Sequence, residues 1–142
     1  MSQGLLRDAR VVDLFAGTGA YGLEAISRGA AHATFVENAP AALTALQANI
    51  DALGVAAETT VVRGDAVSYA GSLRSADAFD VAFVDPPYAW DGWDSLLAGL
   101  RANVAVCEAR HQIDVPSGWE LVRFDRYGTT VITLLRSLQG SS

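Results

Sequence analysis

Val11-Val12-Asp13-Leu14-Phe15 runs without a break into Ala16-Gly17-Thr18-Gly19-Ala20-Tyr21-Gly22, and no other stretch of the chain limits the fold as tightly. The first five residues are apolar and mostly bulky except for one acid, as in a short buried strand. Gly17, Gly19 and Gly22 have the spacing G-x-G-x-x-G. Glycines there permit a tight turn and let a ligand or another backbone come close. Residues 23–28 continue as a helix, and Gly29 suits the left-handed residue that follows a helix C-terminus.

The same alternation runs on down the chain. Residues 33–37 read as a second strand ending in Glu37, followed by Asn38 as a cap and Pro40 in a first helical turn. Leu43, Leu46, Ile50 and Leu53 form an amphipathic stripe that Gly54 stops. Residues 58–62 read as a third strand, leading through Arg63-Gly64-Asp65 to a short helix over 66–74. Residues 79–84 form a fourth strand, Trp90-Asp91-Gly92-Trp93 a loop, and Leu96, Leu97 and Leu100 another helix. Val104-Ala105-Val106-Cys107 is a fifth strand. Residues 119–125 and 129–135 close the chain as a hairpin around Arg126-Tyr127-Gly128. The pattern predicts one α/β domain over 1–142, with a polar lead at 1–10 and a polar tail at 137–142. Its sheet is mostly parallel, with helices on both faces and an antiparallel hairpin at one edge.

Composition narrows what such a domain does. Of its 142 residues, 51% are hydrophobic and 18% charged, which excludes disorder. No apolar run approaches the roughly 20 residues of a membrane helix, and the N-terminus lacks the basic-then-apolar plan of a signal peptide. A single cysteine, Cys107, forms no internal disulfide and suits a reducing cytoplasm; its apolar neighbours make it a core residue. The net charge is -6, and all 10 basic residues are arginine, a usage that hints at a GC-rich bacterial genome. The acidic balance argues against strong non-specific nucleic-acid binding but leaves room for a local basic patch. His32 and His111 have no partner at metal-ligand spacing and read as surface residues, so no metal is expected.

Acids recur where strands end. Glu37 follows Gly19 by 18 residues, the position from which a carboxylate holds a ribose hydroxyl pair. The ligand is then a dinucleotide or an adenosyl compound such as S-adenosylmethionine (SAM). Asp13 interrupts the apolar first strand, and a buried carboxylate needs a partner. That partner is a cationic ammonium, as in the methionyl tail of SAM, or the backbone amides of its own loop. Asp65 either accepts from an adenine amino group or caps the helix after it.

Val81-Ala82-Phe83-Val84-Asp85-Pro86-Pro87-Tyr88 separates the two cofactor readings. Two prolines fix the backbone and remove two donors, and Asp85 is pushed out of the α region. A stiff elbow at a strand end then offers a carboxylate, bare carbonyls and an aromatic ring. Hydride transfer gains nothing from it. Methyl transfer to an aromatic amine does: Asp85 and the Pro86 carbonyl would localise and aim the nitrogen lone pair, and Tyr88 would stack on the base. Trp90 and Trp93 either stack on a flipped base or cover the core, and Arg123 and Arg126 either meet phosphate or decorate the hairpin.

Val12-Asp13-Leu14-Phe15-Ala16-Gly17-Thr18-Gly19, with Gly22-Leu23-Glu24-Ala25, Ser27-Arg28-Gly29-Ala30, Phe35-Val36-Glu37, Asp65-Ala66 and Asp85-Pro86-Pro87-Tyr88, closely resembles the RsmD family. These are bacterial SAM-dependent methyltransferases that modify the N2 amine of one guanine in 16S ribosomal RNA. The resemblance runs from about residue 8 to 136 and is weaker over 119–128. It implies a Rossmann-like, seven-stranded methyltransferase sheet whose last strand is antiparallel. It implies SAM contacts at Phe15, Ala16, Gly17, Thr18 and Gly19, at Glu37 with its neighbour Asn38, and at Asp65 with its neighbour Ala66. It sets the target amine at Asp85, Pro86, Pro87 and Tyr88. Family members usually carry a basic N-terminal segment and a helix before the first strand. About ten residues precede Val11 here, so the expectation is a shortened or truncated N-terminus.

The expectation is therefore a cytoplasmic SAM-dependent RNA N-methyltransferase whose partner is 16S rRNA in the small ribosomal subunit or its assembly precursor. Methylation of another amine such as adenine N6, SAM binding without turnover, and nicotinamide chemistry are the other readings.

Overall fold

The computed structural model describes residues 3–138. The first two residues of the expected lead and residues 139–142 of the expected tail lie outside that range. The elements are α1 (Gln3–Leu6), β1 (Arg10–Leu14), α2 (Ala20–Ser27), β2 (His32–Glu37), α3 (Pro40–Leu53), β3 (Thr59–Arg63), α4 (Ala66–Gly71), β4 (Phe79–Val84), α5 (Trp93–Gly99), β5 (Ala102–Ala109), β6 (Trp119–Tyr127) and β7 (Thr130–Ser137).

The strands form one seven-stranded sheet in the order β3-β2-β1-β4-β5-β7-β6. The pairs among β1 to β5 are parallel, and β7 runs antiparallel between β5 and β6. The order reverses at β1, whose neighbours are β2 and β4; in open α/β sheets that switch point opens a crevice at the strands' C-terminal edge.

Alternation along the strands splits the core in two. Val11, Phe35, Val81, Phe83 and Val106 face one layer with Leu6, Ala25, Leu46 and Ile50 from the first three helices. Val12, Leu14, Val36, Ala82, Val84 and Cys107 face the other, with Ala66, Ala70, Leu96 and Leu97 from α4 and α5. Both faces are thus covered, as a parallel sheet requires. Burial pushes the Cys107 thiol up to about 12, in keeping with a core residue.

Several boundaries differ from those expected. The lead is not simply polar: it holds α1, Leu6 and Ala9 are buried, and Asp8 N–H donates to the Gly29 carbonyl. Phe15 leaves β1 with φ 61 rather than ending it. Asn38 does not cap α3; Ala39 holds that position and Pro40 follows. The chain leaving β2 is held instead by Glu37, whose Oε2 accepts the N–H groups of Asn38 and Ala39. The α3 stripe is buried at Leu46 and Ile50, while Leu53 is 61% exposed. The helix expected over 66–74 stops at Gly71, where α4 meets α5 so closely that a Cβ at Gly99 would lie 3.0 Å from the Gly71 Cα. Trp93 opens α5 rather than lying in a loop. Strand β5 extends two residues past Cys107, because Glu108 and Ala109 still pair with Ile132 and Val131 on β7.

Candidate active site

Register lines up the residues at the crevice. Leu14 lies opposite Val36 and Val84, and Val84 opposite Cys107. The residues one step further on four adjacent strands are therefore Phe15, Glu37, Asp85 and Glu108.

On the β1–β3 side, backbone amides hold the acids. Gly19 adopts φ 92 and starts α2. Gly22 lies so close to β2 that a Cβ there would come 2.4 Å from the Phe35 ring, so only glycine lets α2 settle on the sheet at that point. Its N–H donates to Asp13 Oδ2 at 2.9 Å. Asp13 is only 1% exposed; burial pushes its carboxyl up to about 7, the bond from Gly22 opposes this, and the charges of Asp85 and Glu37 add to it. Of the two partners expected for Asp13, the loop amide is the one seen. Gly17 donates its N–H to Glu37 Oε1 at 2.7 Å, and Asn49 Nδ2 donates to the Thr18 carbonyl at 3.0 Å. Ala16 N–H donates to the Val36 carbonyl, pinning the loop to β2. Asp65 is exposed and caps α4 by accepting the Ser68 N–H at 2.9 Å, with Ala66 buried behind it.

On the β4–β5 side, side chains hold one another. Asp85 is half-buried, and burial pushes its carboxyl up to about 6, with the neighbouring Glu108 carboxyl adding to the shift. The Tyr21 hydroxyl donates to Glu108 Oε1, and the Tyr21 ring stacks on Phe83 at 5.2 Å and 15°. A cleft of about 440 Å³ opens over Asp85, Pro86, Pro87, Tyr88 and Glu108. Tyr88 is 74% exposed at its mouth, and the Arg110 guanidinium sits 4.4 Å from its ring centre. His111 also lines the cleft and is exposed.

The tryptophans pack on the core and also line the cleft. Trp93 is buried, and Trp90 packs edge-on between it and Phe15 at 5.2 and 5.0 Å. Arg123 pairs with Asp125 on the exposed hairpin at 2.7 Å. Among the described residues no cluster of His, Cys, Asp and Glu has the makings of a metal site, and no helix is long and apolar enough to cross a membrane.

Sequence reasoning missed Glu108, Tyr21 and Arg110. Glu108 carries the signal that marked Glu37, Asp65 and Asp85, an acid just beyond an apolar strand. It escaped because the fifth strand was read as ending at Cys107, with its pairing to β7 unseen.

Comparison with known proteins agrees with this geometry. A family described as Conserved hypothetical protein 95 matches residues 1–136. Ribosomal RNA small subunit methyltransferase D of Escherichia coli (strain K12) is 32% identical over 146 residues, covering 95% of this chain and 72% of that protein. YlbH of Bacillus subtilis, a proposed rRNA methyltransferase, is 29% identical, covering 89% and 75%. The solved structure of yhhF, a proposed methyltransferase of Escherichia coli, superposes with a TM-score of 0.83 at 29% identity, over 94% of this chain and 78% of that one. SMU.776, a proposed methyltransferase complexed with S-adenosylhomocysteine (SAH), shares the fold with a TM-score of 0.68 at 15% identity, over 92% of this chain and 47% of that one. The sheet, the glycine loop and the match over nearly the whole chain make this protein a member of the RsmD family of rRNA methyltransferases.

Proposed function

We propose that this chain moves a methyl group from SAM to the exocyclic N2 amine of a guanine in 16S rRNA, in the small ribosomal subunit or a cytoplasmic assembly precursor. The observation that carries the reading is the Asp85-Pro86-Pro87-Tyr88 elbow at the C-terminal end of β4, beside the glycine loop that ends β1. The name of the Escherichia coli relative supports the RNA class of the substrate. One domain carries both halves of the site.

The residues fit SAM. The space beside Gly17 is open, with nothing within 4 Å of where a side chain would begin, so the loop presents bare backbone to a ligand. Asp13, Glu37, Asp65 and Asp85 bring a surplus of carboxyls to one sheet edge, suited to a ligand bearing sulfonium and ammonium charges. Phe15, Ala16, Thr18 and Gly19 would line the cofactor with Gly17; Glu37 and Asn38 would hold its ribose side, and Asp65 and Ala66 its base. When bound, SAM supplies an electrophilic methyl group.

The remaining work is positioning. An aromatic amine is a weak nucleophile because its lone pair is delocalised into the ring. Asp85 and the Pro86 carbonyl accept its N–H bonds and turn the lone pair toward the glycine loop, while the prolines keep both acceptors rigid. Tyr88 offers the base a ring face at the cleft mouth.

Two measurements test the reading. Calorimetry should show SAM binding and no NAD binding; the reverse removes it. Small-subunit particles from a strain lacking the modification should accept one methyl at guanine N2. SAM binding with no transfer, or transfer to adenine N6, overturns it.

A further inference from the structure

Asp85 and Glu108 follow the paired residues Val84 and Cys107 on neighbouring strands, and both line the same cleft. Two carboxylates side by side repel, so the Glu108 charge raises the proton affinity of Asp85. Tyr21 reaches the pair from α2, its hydroxyl donating to Glu108 and its ring clamped on the buried Phe83. Burial and Glu108 both raise the Tyr21 hydroxyl above the usual phenol range, so it stays a donor.

The surroundings leave the pair to itself. From β1 and β2, Asp13 and Glu37 add negative charge at the same edge. From β7, Ile132 faces Glu108 with no charge. Past β5, Arg110 lies on the Tyr88 ring, and His111 lines the cleft beside it. Among the described residues neither Asp85 nor Glu108 forms an ion pair.

We infer that Glu108, held by Tyr21, is a positioning residue for Asp85: its carboxylate, one strand over, fixes the Asp85 oxygen that faces the target amine and makes Asp85 the better acceptor for the proton that amine loses. The inference rests on the methyl-transfer reading above. As the new N–C bond forms, the donor's S–C bond breaks with its electron pair left on sulfur. The amine nitrogen then holds a positive charge and a proton in excess. That proton passes to the Asp85 carboxylate, which becomes neutral, and leaves to water through the open cleft. Without the Glu108 charge beside it, Asp85 is a weaker base for the released proton.

Two readouts on the full chain test this. Carboxyl-carbon NMR titration needs no cofactor, and single-turnover methyl transfer to under-methylated small-subunit particles across pH reads the chemistry. In the wild type, Asp85 should titrate above the ordinary carboxylate range. In Glu108→Gln it should titrate lower, the acidic limb of the rate profile should move to lower pH, and kcat should fall roughly 10- to 100-fold with KM for SAM little changed. Tyr21→Phe, which keeps the stacked ring, should move both readouts the same way by about threefold in rate. Glu108→Asp, which keeps the charge but withdraws it from Tyr21, replaces the Gln variant if that one does not fold. An Asp85 titration identical in wild type and Glu108→Gln, or a rate that drops with no movement of the limb, overturns the positioning role alone. A wild type whose Asp85 titrates high and which binds SAM but transfers no methyl overturns the function reading and this role with it.

Discussion

Along the C-terminal edge of the sheet, β1 to β3 bring acids tied to backbone amides, whereas β4 and β5 bring two acids side by side, one of them held by a tyrosine hydroxyl. Asp13 accepts from Gly22, Glu37 from Gly17, Asn38 and Ala39, and Asp65 from Ser68. Asp85 instead meets Glu108, and Glu108 meets Tyr21. An amide donor favours a charged carboxylate and holds it wherever the backbone goes. A second carboxylate beside the first repels it and raises its hold on a proton. One half of the crevice is thus set by chain path and the other by side-chain chemistry. Changes in the first half should register in stability and cofactor affinity, and changes in the second in turnover.

The largest expected effect is in the second half. Asp85→Ala should lower methyl transfer by about 100- to 1000-fold, the loss typical of removing one preorganised polar group. SAM affinity should stay within about threefold, because the amide-tied half is untouched. Single-turnover rates and calorimetry check this. Turnover unchanged in Asp85→Ala would end the division between the two halves.

Next is Gly22→Ala in the first half. The new Cβ would lie 2.4 Å from a Phe35 ring that is fully buried, so the ring or α2 must move. Overpacking of this kind costs about 1–3 kcal/mol, and better helix propensity returns about 1 of it. Urea unfolding should show a net loss of up to about 2 kcal/mol, and the displaced loop should weaken SAM binding. A variant as stable as the wild type would mean the helix-to-sheet contact is looser than it looks.

Asp13 gives the first half a pH-sensitive member. Its carboxyl is raised from 3.8 to about 7, chiefly by burial. Between those values the native state holds a proton that the unfolded chain has lost. Its contribution to stability therefore declines as pH rises from about 4 to 7 and is flat above that. Asp13→Asn keeps an oxygen for the Gly22 N–H and removes the titration. Relative to wild type, the variant should gain about 3 kcal/mol between pH 4.5 and 8 by denaturant unfolding. Parallel pH curves for the two proteins would place the titration elsewhere.

How far the sequence shows this division depends on which contacts are local. The glycine loop, the acid ending β2 and the proline elbow each lie within one short stretch, so spacing alone exposed them. Residues 79–84 were read with the bounds observed for β4, because a run of buried apolar residues closed by two prolines leaves no other end point. Asn38 misled because a good capping residue was judged by its own side chain, while Glu37 one position earlier already held the local amides. Glu108 and Tyr21 stayed hidden because 87 residues separate them and only the β4–β5 and β5–β7 pairings bring the glutamate to the crevice. The amide-tied half is mostly local in sequence and was mostly legible; the side-chain half is not.

The smallest effect sharpens the boundary between structure and ligand at Asp65. The carboxylate caps α4 through Ser68 N–H, and the residue is exposed at the edge where a base would lie. Asp65→Ala removes both roles and should cost about 1 kcal/mol of stability, the usual value of an N-cap. Asp65→Ser keeps an oxygen for the Ser68 N–H and should restore most of that stability. SAM affinity separates the roles: if Asp65 also accepts from the adenine amino group, both variants should bind SAM about 3- to 10-fold more weakly, in line with one hydrogen bond. If affinity follows stability and returns with serine, the residue acts on the cofactor only through the helix it caps, and the amide tie alone accounts for its place at the crevice.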